Sequence, residues 1–319
     1  MVLTEYVIAI PSYNRPDTIK KATLKMLSEY NIPSKKIHIF VANKQQKKLY
    51  ESKIDKSMYN KIIIGKVGVM NIRNIMSKYF AEGQWVFYID DDIYRVSECI
   101  YRKSNLDNYL SKKKLENTQK NREEFKKKGQ VLRNLPNLDK FIRDGFKHCL
   151  EKKMRLFGVY AAYNPYFMKP TKRNNSHISY NLTYIIGFFC GAINSKLAEK
   201  RTVADKEDYE RSIKYYLLNG GVIRYNNIGA LTKCYTEPGG MQSNGHRSWE
   251  RVDKSAKYLL AKYTGLTQPK NSKKKADKIT GKPWTEVMLR DKRENREFGE
   301  KIVRKYHNKT PKTYEKFNY

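Results

Sequence analysis

Over the first hundred residues, apolar runs of strand length alternate with stretches of helical period, and this alternation constrains the fold more than any other feature of the chain. Tyr6 to Ile10, Ile37 to Ala42, Lys61 to Ile64 and Trp85 to Ile89 read as short, buried strands. Asp17 reads as the N-cap of a helix through about Tyr30, with Ile19, Leu24 and Leu27 among its apolar positions. A polar helix covers Lys44 to Ser52, and Val69 to Phe80 places Val69, Ile72, Met76 and Phe80 on one side. The order β-α-β-α-β-α-β predicts an α/β fold: a mostly parallel central sheet with helices on both faces. Such sheets bind ligands beyond the carboxyl ends of their strands.

Two chemically unusual segments fall at such ends. The first is PSYNRP after the first strand, where two prolines fix the backbone and Tyr13 and Arg15 offer a ring, a hydroxyl and a cation. The second is WVFYIDDD, where a fourth strand runs straight into Asp90, Asp91 and Asp92. Three carboxylates at a strand end repel one another unless a cation offsets them. Residues i and i+2 of an extended chain point the same way, so Asp90 and Asp92 can face one ligand with Asp91 turned aside. A hard divalent ion, Mg²⁺ or Mn²⁺, shared with phosphate suits such oxygen ligands. The bland alternative is an acidic turn.

Three further segments carry candidate chemistry. GVMNIRN opens a helix after Gly68, with Arg73 one turn in, where a helix N-terminus favours an anion. KEDYE places Glu207 and Asp208 at another helix start; either suits the helix dipole or serves as a general base. GGMQSNGHR is a glycine-rich loop with His246 as a potential metal ligand.

Past Tyr101 the composition changes. Tyr101 to Leu156 holds 17 Lys and Arg against 7 Asp and Glu. Its middle, SKKKLENTQKNREEFKKKG, is nearly devoid of apolar residues and reads as a mobile, basic insertion. Leu138 to Leu156 then reads as an amphipathic helix. Gly158 to Ala162, Tyr184 to Ile193, Val222 to Tyr225 and Leu231 to Tyr235 read as strands, and Asp205 to Leu218 as a helix. From Arg251 onward, 20 Lys and Arg face 8 Asp and Glu, in a tail that mixes helices with a loop, TQPKNSKKKADK. Four regions follow: 1–100; 101–156, the basic helical insertion; 157–250; and 251–319, a basic helical extension.

With 65 Lys and Arg against 32 Asp and Glu, the formal net charge is +33, which calls for a polyanionic partner such as DNA. Lysine enrichment through an AT-rich coding sequence would leave the acids in proportion, and here they are half as common. Cys99, Cys149, Cys190 and Cys234 lack CxxC spacing, which argues against zinc and for reduced, mostly buried thiols. No apolar run is long enough to span a bilayer, and MVLTEYVIAIPSYN enters a strand without a signal-like region. These features predict a soluble cytoplasmic or nuclear protein, not a secreted one, with no membrane partner.

The motifs occur in one order: strand–PSYNRP, G-x-x-x-x-RN, strand–DDD, then a Glu-Asp pair on a helix. That order resembles the GT-A glycosyltransferases, with their Rossmann-like nucleotide half and Asp-x-Asp metal motif. FGVYAAYNPYFMK (Phe157 to Lys169) and YIIGFFCGAIN (Tyr184 to Asn194) resemble the TET/JBP-associated glycosyltransferases, a group that includes the base J glucosyltransferase and relatives in phages and large viruses. The resemblance implies a nucleotide-sugar-binding half at 1–100 and an acceptor-side, catalytic half at 157–250, and transfer of a sugar, glucose from UDP-glucose, onto a 5-hydroxymethyluracil or 5-hydroxymethylcytosine in DNA, the base being flipped from the duplex or presented in a single strand. It implies that Pro11, Tyr13 and Arg15 hold the uridine diphosphate and that Arg73 assists at ribose or phosphate. Asp90 and Asp91 would lie at the nucleotide, and Asp92, with Asp90 and His246, at Mn²⁺ or Mg²⁺. Asp208, after Glu207, would be the base of an inverting reaction. Two other readings stay open: a GT-A enzyme acting on a polysaccharide, glycolipid or protein, and an inactive basic protein that binds nucleic acid.

Overall fold

The computed structural model describes residues 5–101, 103–128, 130–168, 176–233, 249–270 and 285–308. β1 (Val7–Pro11) leads into one continuous helical rod: α1 (Pro16–Ile19), a π-helical stretch (Lys20–Leu24) and α2 (Lys25–Glu29). β2 (Ile37–Val41), α3 (Lys44–Lys53), β3 (Lys61–Ile64), α4 (Val69–Tyr79) and β4 (Trp85–Ile89) follow. The rod starts one position before the expected cap. Arg15 is the N-cap and Pro16 occupies the first turn, where its fixed φ suits a helix, so Asp17 lies inside the helix.

β5 (Ile93–Tyr101) and β6 (Gln130–Asn134) flank α5 (Lys103–Lys113) and α6 (Gln119–Lys128). The stretch expected to be a mobile insertion thus holds two helices. They meet through its few apolar residues: Leu110 and Phe125 are buried, and Tyr109 lies 5.3 Å from Phe125, ring to ring. Next come α7 (Leu138–Glu151), β7 (Leu156–Tyr160), β8 (Ile178–Ser179), β9 (Phe189–Ile193), α8 (Glu207–Asn219) and β10 (Ile223–Thr232). α9 (Trp249–Lys262), β11 (Thr267–Lys270), β12 (Glu286–Leu289) and α10 (Glu300–Asn308) complete the chain.

Several boundaries differ from the sequence expectation. α7 stops at Glu151 because Lys153 turns left-handed, at φ 54°, and the Met154 amide bonds back to the Cys149 carbonyl. Residues 184–188 form a loop, not strand, since the Ile185 amide is taken by the Ser212 hydroxyl at 3.0 Å. The two strands expected after residue 221 are one, β10, with an irregular step between Tyr225 and Gly229; Tyr235 lies outside the described residues. Residues 267–270 of the expected tail loop pair as β11 with β12, and 271–278 lie outside the described residues.

The main sheet has the order β3-β2-β1-β4-β9-β7-β10-β5-β6, with β8 beside β10. Of the nine strands in that path only β9 and β5 run against the rest, so the sheet is mostly parallel. Strand residues alternate between its faces. Ile8, Ile10, Ile39, Phe87 and Ile89 pack with residues of α1 to α3 and α7, and Ala9, Phe40, Val86 and Tyr88 pack with residues of α4, α8 and α9. This is the α/β architecture, with helices on both faces, that the sequence predicts. Among the described residues no helix is long and apolar enough to cross a membrane. Cys99, Cys149 and Cys190 are buried free thiols, and Cys234 lies outside the described residues.

The core between α7, β7 and β9 turns on one ring. Phe157 of β7 is fully buried, 5.1 Å from Phe146 of α7 in an edge-on contact. A Cβ on Gly145 of α7 or Gly191 of β9 would overlap that ring, so both glycines are sites of close approach. Gly191→Ala is predicted to lower stability by about 1–3 kcal/mol through overpacking, read as an earlier midpoint in urea unfolding.

Candidate active site

β1 sits between β2 and β4, all three parallel, with the order reversing at β1. The loops leaving β1 and β4 therefore open side by side at the switch point of the sheet, where α/β folds bind ligands. Pro11 ends β1, and the loop after it is pinned. The Ser12 amide bonds the Phe40 carbonyl at 2.9 Å, the Asn14 amide bonds Gln46 Oε1 at 2.9 Å, and the Arg15 amide bonds the Tyr50 hydroxyl at 2.9 Å. Asn14 is left-handed at φ 55°, a conformation that asparagine tolerates. Tyr13 is half-buried in this loop.

The three aspartates have different surroundings. Asp91 turns inward: the Ser12 hydroxyl donates to it at 2.5 Å, and Arg15 Nη1 lies at 3.3 Å. Burial pushes its carboxyl up to about 7, with Ser12 and Arg15 holding it back. Asp92 is buried 3.7 Å from Arg15 Nη1, and its carboxyl is raised by burial and then by the charge of Asp90. Asp90 is half-exposed and receives Arg73 Nη2 at 2.5 Å. The charge of Asp90 therefore bears on both Asp91 and Asp92, while the Asp91 side chain is anchored to the β1 loop.

Arg73 links this strand end to α8. It is fully buried on α4, with Nε 3.7 Å from Glu207 and Nη2 on Asp90. Burial alone would weaken its hold on a proton, and Asp90, Glu207 and Asp208 together reverse that. Its Nη1 has no hydrogen-bond partner. Glu207 also accepts from Arg201 Nε at 2.9 Å; burial opposes its ionisation, but Arg201 and Arg73 prevail and hold its carboxyl below the usual range. Asp208 behaves oppositely. Burial, then the neighbouring charge of Glu207, pushes its carboxyl well above the usual range, and the Tyr184 hydroxyl donates to Oδ2 at 3.3 Å. Asp208 Oδ1 rests against Gly187, where any Cβ would collide with it. Lys206, left-handed at φ 58°, sets the entry of the chain into α8.

The site thus brings together Pro11, Tyr13 and Arg15 on the β1 loop, Asp90 to Asp92 after β4, Arg73 on α4 and Glu207 and Asp208 on α8. His246 lies outside the described residues. Sequence reading missed Ser12, Tyr50, Arg201, Tyr184 and Gly187. Ser12, Tyr184 and Gly187 stood inside segments already singled out; Tyr50 and Arg201 carry no local signal. Among the described residues no three His, Cys, Asp or Glu side chains form a ready-made metal cage. Mg²⁺ and similar ions, however, are commonly held by one or two carboxylates plus substrate phosphates. Asp90, half-exposed past the strand end, and Asp92, whose carboxyl is raised by burial and then by the charge of Asp90, are the pair that would hold such a shared ion.

Beneath the site lies a buried ionic layer. Glu199 accepts from Arg201, from Arg211 Nε at 3.0 Å and from the Tyr215 hydroxyl at 2.9 Å. Glu210 pairs with Lys214 of its own helix at 3.1 Å and joins α8 to the end of α9 through Lys262 at 3.4 Å and the Tyr263 hydroxyl at 3.0 Å.

No protein-family model matches this chain, and no curated protein matches it by sequence. Among solved structures it is similar to Staphylococcus aureus TarS. It is 15% identical to TarS 1–349 over 71% of this chain and 59% of that one, with a TM-score of 0.36. It is 14% identical to TarS 1–349 in complex with UDP-GlcNAc over 81% and 67%, with a TM-score of 0.41. It is 13% identical to TarS over 81% and 40%, with a TM-score of 0.39. The chain therefore spans about two thirds or less of each TarS structure. At these TM-scores the likeness carries no weight in assigning a function, and the site residues carry it instead.

The ionic layer predicts acid sensitivity. Burial would raise the Glu199 carboxyl, but Arg201 and Arg211 hold it down to about 2. A carboxyl lower in the folded than the unfolded chain stabilises above its ordinary value of 4.5 and loses that contribution as pH falls toward 2. Urea midpoints should fall across this window, and Glu199→Gln should flatten the fall while lowering stability at pH 7.

Proposed function

We propose that this protein is a glycosyltransferase that moves a sugar from a UDP-sugar onto a hydroxyl acceptor, with residues 1–100 holding the donor. The convergence of the β1 loop, the aspartate trio and the Glu207–Asp208 pair around Arg73 carries this reading. Tyr13 and Arg15 take the uridine and diphosphate, and Arg73 offers its unpartnered Nη1 to a ribose or phosphate oxygen. Asp92 and Asp90 would hold Mn²⁺ or Mg²⁺, whose contribution when bound is charge neutralisation on the leaving diphosphate. Asp208 takes the acceptor proton as the hydroxyl oxygen bonds to the anomeric carbon. The bond from that carbon to the diphosphate breaks on the opposite face, and its electron pair leaves with UDP. Glu207, pinned between two arginines, stays ionised and keeps the Asp208 carboxyl basic.

The acceptor we propose is the hydroxymethyl group of a 5-hydroxymethylpyrimidine in DNA. The net charge of +33 and the two segments around Phe157 and Tyr184 support it. Incubation with UDP-glucose or UDP-N-acetylglucosamine, Mn²⁺ and hydroxymethylated DNA is expected to add one sugar per modified base, read by mass spectrometry. Transfer to a polysaccharide or protein but not to DNA would move the acceptor and keep the enzyme; no transfer from any UDP-sugar would sink both. Asp208→Asn is expected to lower kcat by roughly 10²–10⁴ while leaving UDP binding intact. The wild-type rate should rise with pH along a limb above the ordinary carboxylate range, because Asp208 must lose its proton to act.

A further inference from the structure

Thr23 lies in the π-helical stretch between α1 and α2, fully buried. Its hydroxyl donates to the Asp90 carbonyl at 2.6 Å and accepts from the Ile93 amide at 3.0 Å. One side chain thus joins the main chain entering the aspartate turn to the main chain leaving it, with Asp91 and Asp92 between. The Asp90 carbonyl lies past Ile89, the last paired residue of β4, and Ile93, which opens β5 opposite Thr232, gives its amide to Thr23. Left unmade, buried bonds of this kind are costly. A π turn inserts one residue into a helix and recurs at functional sites. Here it accompanies three consecutive buried side chains, Ala22, Thr23 and Leu24, where a regular helix would turn each about 100° from the last.

We infer that Thr23 is a positioning residue of the donor site: its hydroxyl fixes the backbone of the aspartate turn so that the Asp90 and Asp92 carboxylates are presented together. Asp91 secures the same turn from its other side, through Ser12. The inference rests on the reading of the trio as the site of a diphosphate and its cation.

The test is calorimetric titration of UDP with Mn²⁺ into the wild-type chain and into Thr23→Val, Thr23→Ala and Thr23→Ser, with amide exchange at Ile93 followed in the wild type. Loss of the hydroxyl in the valine and alanine variants should weaken metal-dependent UDP binding about tenfold, while serine, which keeps the hydroxyl, stays within about twofold of wild type. The Ile93 amide should exchange as slowly as its neighbours in β5. Valine or alanine variants that bind as the wild type does, a serine variant as weak as they are, or a fast-exchanging Ile93 amide would overturn the role of Thr23. Wild-type protein that binds no UDP in the presence of Mn²⁺ would overturn the donor-site reading itself, and the role of Thr23 with it.

Discussion

One buried guanidinium holds the candidate site together. Arg73 lies on neither of the segments whose carboxylates it joins, yet it touches Asp90 beyond β4 and Glu207 at the head of α8. A buried cation without anions is strongly disfavoured, and buried anions without a cation equally so. The placement of α4 therefore fixes the distance between the end of one half of the sheet and the first turn of a helix from the other. Arg201 repeats the device one layer down, between Glu207 and Glu199. Deep ion pairs of this kind are poor sources of stability but effective at fixing register, because any slip strands a charge.

The same logic divides the aspartate trio. Three like charges in sequence do not act as one acidic patch: Arg15 serves Asp91 and Asp92, and Arg73 serves Asp90. Protein cations thus answer part of the repulsion that the sequence poses. What they leave is a residual repulsion, in which the charge of Asp90 still raises the carboxyls of both Asp91 and Asp92. Glu207 and Asp208 form a second divided pair, adjacent in sequence and opposite in electrostatic fate. Two arginines engage the first, and a phenol and a glycine frame the second.

The first half of the fold was legible because its signals are local. β3 and β4 match their expected limits, since each is a short apolar run bounded by polar or turn residues. Downstream, β-rich composition misleads. YIIGF reads as strand, but its backbone is claimed by Ser212 and its glycine by Asp208, contacts made by a helix more than twenty residues away. The site divides in the same manner. Residues at strand ends and helix starts announce themselves by position, whereas Tyr50, Thr23 and Arg201 act through bonds to partners that folding alone brings near. No periodicity encodes a threonine whose hydroxyl spans residues 67 and 70 positions away.

β5 has a consequence for reach. It leaves the aspartate turn and runs nine residues before α5 begins, which at strand rise separates the turn from the basic helical pair by up to about 30 Å. The lysines of α5 and α6 thus follow the far end of β5, and β6 returns antiparallel along that strand, so charge added or removed on the helical pair leaves the contacts of Asp90, Asp91 and Asp92 with Arg73, Ser12 and Arg15 untouched.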